Sequence, residues 1–347
     1  MESRFTVLQV IPRMRSGGAE LGCLQVAVAL ADAGHRALVV SEGGRMVGAL
    51  EAAGARHIAL PLSSKNPLRM RFNTRALCEI IRRENVDVVH ARGRAPAWSA
   101  LSAARSTGIP FVATYHSEYS ERGRIKNLYN SVLVGGGEKV IAVSDHMGAL
   151  IRARYGTEPR RIAVIHRAYD PVRFNPAAVT ASRLAALREL LGVKPGERIV
   201  LLAGRITRRK AQADLVAAMG VLKERGIDGF TCVFAGEIEK KDYMAEIEAK
   251  VRELGLETRV RFPGNVADMA AAYLLADVSL NISESEGLPR VALESQAMGV
   301  PVIISDTGPG REVALTAPDV APHAATGLRV PFGEPQALAR ALGDLLA

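Results

Sequence analysis

Short apolar runs alternate with helical patterns along nearly the whole chain, and this alternation limits the possible folds more than any other feature of the sequence. Runs typical of buried strands occur at 5–11, 37–40, 86–90, 111–115 and 139–143, and again at 199–204, 230–236, 260–262, 278–281 and 300–304. A helical pattern follows the first run from about Glu20 to Ala33, where Gly34 ends it. Repeated alternation of apolar strands with helices predicts parallel sheets that are covered by helices on both faces.

The alternation pauses once, between 167 and 196, where three prolines occur. A chain of 347 residues also exceeds the size of one ordinary hydrophobic core. We therefore predict an α/β protein with two doubly wound, Rossmann-like domains, residues 1–170 and 171–347, which face each other across an interdomain cleft. In such sheets ligands bind beyond the carboxyl ends of the strands, so candidate site residues are expected there.

The net charge of +9 comes from the first half of the chain. Residues 1–170 carry 24 Lys and Arg against 14 Asp and Glu, whereas residues 171–347 carry 21 against 22. Within the first half, the segment 65–75 interleaves bases with apolar side chains. An acidic substrate, an anionic membrane face, nucleic acid or a merely solvated surface would each account for the excess. Aromatic residues make up only 5% of the chain, which argues against base-stacking platforms, so we expect no nucleic-acid partner.

Several protein classes are excluded by composition and by missing motifs. No uncharged apolar run reaches the 18 residues of a transmembrane helix, and the first residues lead directly into a strand pattern, so we expect no signal peptide. Cys23, Cys78 and Cys232 have neither a zinc spacing nor the even number of a disulfide framework, which fits a reducing cytosol. The sequence contains no full dinucleotide fingerprint, no nucleophile elbow and no P-loop, which counts against nicotinamide enzymes, hydrolases and NTPases.

The segment 283–294 carries two glutamates eight positions apart, Glu286 and Glu294, and a Gly-Leu-Pro turn directly follows the first. Gly287 allows the backbone to approach a ligand closely, and Pro289 suits the first turn of a helix. The helix that we predict next would begin with unpaired N–H groups and the positive end of its dipole. Two carboxylates of different reach beside such a helix start suit a polyhydroxylated ligand, although glutamates at this spacing also occur on solvated helix faces.

Two strand-to-helix loops are candidates for phosphate binding. The loop 16–20 contains Gly17 and Gly18, whose backbone N–H groups could hold a phosphate or a sugar, although paired glycines also form ordinary tight turns. The loop after the first strand of the second domain carries Arg205 and Lys210, five positions apart and beside a predicted helix start. Two cations there suit a diphosphate, and a solvated basic loop is the alternative.

Taken together, these residues resemble the family 4 retaining glycosyltransferases of the GT-B fold over nearly the whole chain. The matching pieces occur in the expected order: Gly17 to Glu20, the strand-end His116, Ala142 to Ser144, Gly204 and Arg205 with Lys210, Gly264 to Val266 before Asp268, and Glu286 with Glu294 as the E-x7-E pair.

The resemblance implies a role for each matching position. Arg205 and Lys210 would bind the diphosphate of a nucleotide-sugar donor and would stabilise the departing nucleoside diphosphate. Glu286 would contact the hydroxyls of the transferred sugar, and Glu294 would accept hydrogen bonds from the ribose. His116 would lie near the reacting sugar, although a lone histidine at a strand end is also commonly structural.

Further positions complete the implied donor site. Backbone groups of Gly287 and Leu288 would hold sugar and phosphate, and Val266 would contribute to donor binding. Gly17 and Gly18 would approach the diphosphate from the other domain. The resemblance implies neither a metal nor another cofactor, and the sequence has no Asp-x-Asp pair that would hold a metal.

A narrower resemblance concerns the segment 87–98, which is similar to a segment of lipopolysaccharide core mannosyltransferases from alphaproteobacteria. Those enzymes use GDP-mannose. By this resemblance Arg92 and Arg94 would bind an acidic acceptor such as a Kdo-bearing lipid, which would explain the positive charge of the first domain. The same segment also fits an ordinary strand end followed by a helix start.

Two departures from the family pattern bear on activity. Where the family reads I-P-[NR]-G-V-D, this chain has Ile165-His166-Arg167-Ala168-Tyr169-Asp170, and Tyr169 is expected either to narrow the cleft or to alter the sugar accepted. The family also continues beyond the position of Ala347 through a helix that crosses back to the first domain, so either the chain is trimmed here or the protein closes differently.

We predict a cytosolic retaining glycosyltransferase, peripheral on the inner membrane, that transfers a hexose such as mannose from a nucleotide-sugar donor to an anionic glycolipid acceptor. The first domain would bind the acceptor and the second the donor. No residue is assigned as a nucleophile, because the resemblance implies front-side attack in which the donor phosphate takes the acceptor proton. Two alternatives stay open: a nucleotide-sugar 2-epimerase of the same fold and a non-catalytic donor-binding protein.

Overall fold

The computed structural model describes residues 4–15, 17–119 and 123–346, and the chain divides into two compact units, Met1–His166 and Arg167–Ala347. Each unit contains one parallel β-sheet connected by helices, so the predicted α/β class with two Rossmann-like domains is confirmed. No helix of the described residues is both long and apolar enough to span a membrane.

The first unit is built on seven strands. They are β1 Thr6–Val10, β2 Arg36–Ser41, β3 Arg56–Ala59, β4 Val88–Ala91, β5 Phe111–Tyr115, β6 Lys139–Ala142 and β7 Ile162–Val164. The helices between them are α1 Gly18–Asp32, α2 Val47–Ala52, α3 Pro67–Arg83, α4 Arg94–Thr107, α5 Arg124–Gly135 and α6 Asp145–Tyr155. The strands lie in the order β3-β2-β1-β4-β5-β6-β7, and every neighbouring pair is parallel.

The second unit is built on six strands. They are β8 Arg198–Ala203, β9 Phe230–Ala235, β10 Val260–Gly264, β11 Val278–Asn281, β12 Val302–Ser305 and β13 Gly327–Val330. Its helices are α7 Ala181–Leu191, α8 Gln212–Glu224, α9 Lys241–Glu253, α10 Met269–Leu275, α11 Arg290–Ala297, α12 Gly308–Val313 and α13 Pro335–Leu346. The strand order is β10-β9-β8-β11-β12-β13, again with parallel pairs throughout.

Alternate residues of the strands in the second unit point into two separate cores. Val200 and Leu202 of β8 pack with α8, α9 and α13, whereas Leu201 and Ala203 pack with α7 and α10. Successive side chains of a strand point to opposite faces, so a strand that is apolar at every position must be covered on both faces. This explains why the strands read as continuous apolar runs in the sequence.

In each unit the order of the strands reverses at one place. The reversal lies between β1 and β4 in the first sheet and between β8 and β11 in the second. At such a topological switch point the connections from the two central strands run to opposite faces and leave a crevice at the carboxyl edge, which is where doubly wound sheets bind ligands. The loops after β8 and β11 contain Arg205, Lys210 and Glu286.

The element bounds differ from the predictions in informative places. Strands β3, β7 and β13 were not predicted, because edge strands are short and β3 and β7 expose part of every side chain. Helix α1 begins at Gly18 rather than at about Glu20: Gly17 takes a φ of 138°, and its carbonyl already accepts from the Leu21 N–H at 3.0 Å. The glycine pair therefore forms the helix start itself.

Candidate functional site

The loop after β8 is held by a buried glutamine. Gln212, the first residue of α8, donates from Nε2 to the Arg205 carbonyl at 3.0 Å and accepts from the Thr207 N–H at 3.3 Å. Gly204 takes a φ of 143°, and a Cβ there would lie 3.3 Å from Cε of Lys210. Only glycine adopts this backbone readily, so the local sequence sets the path of the Lys210 side chain across the loop.

Lys210 and Glu286 form an ion pair at the switch point of the second sheet. The Lys210 Nζ lies 2.5 Å from Oε1 of Glu286, and each side chain is 14% exposed. The two loops are also joined by their backbones, since the Glu284 N–H donates to the Arg209 carbonyl at 2.9 Å. The structure thus brings together two residues that the sequence separates by 76 positions.

Glu286 is held in its ionised form by its neighbours. Burial alone would raise the pKa of Glu286, but the Lys210 ammonium, with Arg209 and the Ser283 hydroxyl, brings that pKa below its ordinary value. The carboxylate is therefore charged at neutral pH and can accept hydrogen bonds, for example from sugar hydroxyls. Arg209 was not selected from the sequence as a site residue, although the Arg208-Arg209-Lys210 run was a signal for it.

Glu294 occupies a different environment from Glu286. It lies on α11, is 7% exposed, and accepts from the Tyr273 hydroxyl at 3.3 Å, while Nε of Arg290 lies 3.7 Å away. Burial raises the pKa of Glu294, which Arg290 and other neighbours only partly offset. The two glutamates of the pair therefore have opposite pKa shifts, which their spacing in the sequence did not indicate.

Helix α11 begins at Arg290, as predicted, with Pro289 at its N-cap position. The side chain of Pro289 has no acceptor for the first N–H groups of α11, so the N-cap residue leaves this helix start open to a ligand. Gly287 and Leu288 are buried immediately before it, and the Leu288 carbonyl accepts from Nη1 of Arg167 at 3.2 Å. Their backbone groups therefore lie beside Glu286 at the carboxyl edge of β11.

Arg205 and Val266 are placed differently from Lys210. The guanidinium of Arg205 is half exposed and pairs with Glu239, with 2.6 Å between Nη1 and Oε2. The Val266 side chain is buried in the hydrophobic core, so any contact of this residue with a donor would come from its backbone. Asp268 caps α10 and receives two hydrogen bonds from Arg183, which indicates a structural role for this carboxylate.

The first unit places its candidate residues at the carboxyl edge of its own sheet. Gly17 and Gly18 start α1 directly after the β1 loop, and a Cβ on Gly17 would lie 2.8 Å from Oε2 of Glu20. Ser16, in the same predicted loop, lies outside the described residues. His116 follows β5 and is buried. His90 donates to or accepts from the Thr114 hydroxyl at 2.7 Å, and burial together with Arg92 holds its pKa well below the ordinary value.

The two arginines of the segment 87–98 are both engaged by the protein. Arg92 is buried and donates from Nε to Oε1 of Gln9 at 2.6 Å, and burial lowers its pKa. Arg94 donates to Oδ1 of Asn130 at 2.8 Å, and its guanidinium carbon lies 4.2 Å from the Tyr119 ring centroid. Both side chains are therefore fixed in position at the carboxyl edge of β4.

Two family models match the chain, one over each unit. The model described as Glycosyltransferase Family 4 matches residues 16–173, and the model described as Glycosyl transferases group 1 matches residues 185–347. A solved glycosyltransferase from Rickettsia africae is 32% identical, with a TM-score of 0.84 over 99% of this chain and 88% of that chain. The chain belongs to the glycosyltransferases.

Two further relatives of this glycosyltransferase chain extend the comparison. The D-inositol 3-phosphate glycosyltransferase of Salinispora tropica is 29% identical over 286 residues, which cover 75% of this chain and 56% of the relative. The first curated relatives are matched over 56% to 64% of their own length. The Anabaena protein HepE, solved in complex with UDP-glucose, is 22% identical, with a TM-score of 0.82 over 98% of this chain and 89% of that chain. The two Rossmann-like domains are thus those of GT-B glycosyltransferases.

Proposed function

We propose that this chain is a retaining glycosyltransferase that takes a hexose from a nucleotide-sugar donor bound by the second unit. The observation that carries the proposal is the Lys210–Glu286 ion pair at the switch point of the second sheet, beside the start of α11. One cation suited to a phosphate and one carboxylate suited to sugar hydroxyls lie within 2.5 Å of each other. A nucleotide-sugar donor needs a cation for its diphosphate and a hydrogen-bond acceptor for its sugar hydroxyls, close to the bond that joins the two.

Donor binding would exchange the partners of this pair. A diphosphate offers Lys210 an acceptor of higher negative charge than one carboxylate. Glu286, which its surroundings keep ionised, would then accept hydrogen bonds from the hydroxyls of the sugar. Arg205 would exchange Glu239 for the phosphates in the same way, and the backbone at Gly287 and Leu288 would complete the cradle at the helix start.

Catalysis would consist of stabilising the leaving group. As the glycosidic bond to the phosphate breaks, negative charge develops on the nucleoside diphosphate, and the fixed cations Lys210 and Arg205 would stabilise it most in the transition state. We assign no protein nucleophile and propose front-side attack, in which the departing phosphate takes the acceptor proton. On this account the protein's own cations neutralise the phosphates, and transfer needs no metal ion.

Glu294 would bind the ribose of the donor from inside α11. Its carboxylate is already oriented by the Tyr273 hydroxyl, so the contact would require little rearrangement of the side chain. Val266 would contribute backbone contacts, and Gly17, Gly18 and His116 of the first unit would serve the diphosphate and the reacting sugar. The Anabaena structure with UDP-glucose supports a nucleotide-sugar donor, and GDP-mannose is the donor that the segment 87–98 favours.

The acceptor would be an anionic glycolipid such as lipopolysaccharide core, bound by the first unit at the cytoplasmic membrane face. The basic balance of residues 1–170 and the fixed Arg92 and Arg94 support an acidic acceptor. The relative from Salinispora tropica is a D-inositol 3-phosphate glycosyltransferase, and the phosphate in that name supports an anionic acceptor for this chain.

A thermal-shift screen followed by a product assay tests the proposal. GDP, UDP, ADP and their sugars are screened first, because a ligand that binds only the folded state stabilises it. We expect one nucleotide series to raise the melting temperature. The selected donor is then incubated alone and with lipid acceptors. A glycosylated lipid supports transfer, an isomerised nucleotide sugar without acceptor would favour an epimerase, and binding without any product would favour a non-catalytic protein.

A further inference from the structure

We propose that one face of the first unit docks onto an anionic lipid bilayer through apolar side chains that are ringed by arginines. This surface, called the α3–α5 face below, consists of Leu68, Phe72, Leu128, Arg69, Arg71 and Arg75. It deepens the proposed function, since it names the bilayer as the partner that presents a lipid acceptor.

The apolar members of the face are strongly exposed. Leu68 is 79%, Phe72 57% and Leu128 65% exposed. Leu68 and Phe72 lie four positions apart on α3 and therefore side by side on the helix. The opposite side of α3 buries Leu77 and Ile80 among others, so the exposed pair adds nothing to the core. Large apolar side chains grouped on a surface mark a site that binds a ligand, another protein or a membrane.

Contacts through α4 place Leu128 on the same side of the sheet as Leu68 and Phe72. The Ser99 hydroxyl of α4 donates to the Met70 carbonyl of α3 at 3.1 Å, and the Trp98 indole donates to the Tyr129 carbonyl of α5 at 3.3 Å. Nζ of Lys65, just before α3, lies 5.6 Å from the Tyr129 ring centroid. The amino-terminal parts of these helices therefore pack side by side and form one surface.

The charge of the face has one sign. No Asp or Glu occurs from 52 to 78 or from 122 to 137. Arg69, Arg71 and Arg75 are exposed, and none of the three forms an ion pair within the part of the chain that the structure describes. Exposed apolar side chains surrounded by cations are the pattern of helices that lie in the interface of anionic membranes. Nucleic acid would use the cations, but two of the three exposed apolar side chains, Leu68 and Leu128, are aliphatic and offer no stacking surface.

The face adjoins the edge at which the first unit is expected to bind its acceptor. Helices α3 and α5 each follow a strand of the parallel sheet, so their amino termini lie at the carboxyl edge. The side chain of Asn66 accepts from the N–H groups of Leu68 and Arg69, which fixes the first turn of α3. A bilayer bound there would hold a lipid head group beside Arg92 and Arg94.

Co-sedimentation of the full chain with vesicles tests the proposal. Vesicles of phosphatidylglycerol are compared with vesicles of phosphatidylcholine, and we expect binding to the anionic vesicles only. The double variants Leu68→Ser/Phe72→Ser and Arg69→Glu/Arg71→Glu should each bind the anionic vesicles at least about tenfold more weakly. Matched control variants are Leu190→Ser on α7, where Leu190 is 68% exposed, and Arg340→Glu on α13; both should bind like the wild type.

Three outcomes would overturn the proposal: equal binding to both vesicle types, unchanged binding of Leu68→Ser/Phe72→Ser, or an oligonucleotide that is bound while the vesicles are not. A thermal shift with the nucleotide that stabilises the wild type shows whether each variant is folded and binds its donor. Measurements on the same samples distinguish membrane docking from sugar transfer. Vesicle binding without any sugar transfer would contradict the proposed function alone, and transfer to a lipid dispersed in detergent without vesicle binding would contradict docking alone.

Discussion

Lys210 forms an ion pair with Glu286 in the structure and would bind the donor diphosphate in the proposed reaction. Removing the Lys210 ammonium should therefore lower turnover directly. For Lys210→Ala we expect a loss of about 2–4 kcal/mol of transition-state stabilisation, by analogy with lost oxyanion donors. This corresponds to a roughly 30- to 900-fold lower kcat. The matched control is Arg208→Ala, because Arg208 lies in the same loop but pairs with Glu246 and lies 5.0 Å from the Tyr243 ring centroid. Steady-state kinetics in which both variants keep the wild-type rate would refute the diphosphate role.

The raised pKa of Glu294 makes a pH-dependent prediction. The ionised carboxylate accepts hydrogen bonds from ribose hydroxyls more strongly than the protonated acid does, and a raised pKa means that protonation begins at a higher pH than for an ordinary glutamate. As the pH falls, donor affinity should therefore weaken earlier than an unperturbed glutamate would allow. Glu294→Gln, which cannot titrate, should bind the nucleotide more weakly at neutral pH and lose this part of the pH dependence. Calorimetric titrations that give the same pH profile for both proteins would exclude the ribose contact.

The turn after β9 supports the loop that carries Arg205 and Lys210. A Cβ on Gly236 would lie 2.0 Å from the Gly204 carbonyl oxygen, so Gly236→Ala must displace the backbone of that loop. We expect Gly236→Ala to lower the free energy of unfolding by about 1–3 kcal/mol and to weaken binding of the nucleoside diphosphate. Gly229→Ala is the control, because nothing lies within 4 Å of its Cβ position, and its effect should stay within about 0.5 kcal/mol. Chemical denaturation in which the two variants unfold alike would contradict this support.

The sequence predicted the central elements well and the site only in part. Central strands such as β5 and β11 were predicted with their exact bounds, because most of their positions are apolar and all except Val112 are buried. The short edge strand β3 lacks that signal, since it exposes part of each side chain. Glu286 and Lys210 were selected from two separate segments of the sequence, but their ion pair depends on two loops that only the sheet brings together.

The environment of each glutamate could not be read from the E-x7-E spacing. Tyr273, which orients Glu294, lies on α10, 21 positions before it in the chain, and Arg209 acts on Glu286 from the loop after β8. The packing of helices on the sheet determines which side chains become neighbours, and the local sequence pattern does not show that packing. The same holds for Val266, whose side chain belongs to the core although the motif suggested a donor contact.

The two units divide the charge unequally, and the entire basic excess lies in residues 1–170. The second unit has no net basic excess, so in the proposed reaction it would bind the phosphates through two individual side chains, Arg205 and Lys210. Because these side chains would neutralise the phosphates, we expect transfer to continue at an unchanged rate after exhaustive treatment with EDTA. A rate that falls with the chelator and returns on addition of Mg²⁺ or Mn²⁺ would show that a metal shares this task.

We expect the chain to transfer a sugar from a nucleotide sugar by means of the Lys210–Glu286 site. The most direct measurement is mass spectrometry of a lipid acceptor after incubation with the donor that stabilises the protein, for the wild type and Lys210→Ala side by side. We expect an acceptor heavier by one hexose residue with the wild type, and a product that forms roughly 30- to 900-fold more slowly with the variant. Formation of the same product at the same rate by both proteins would show that Lys210 does not stabilise the leaving group.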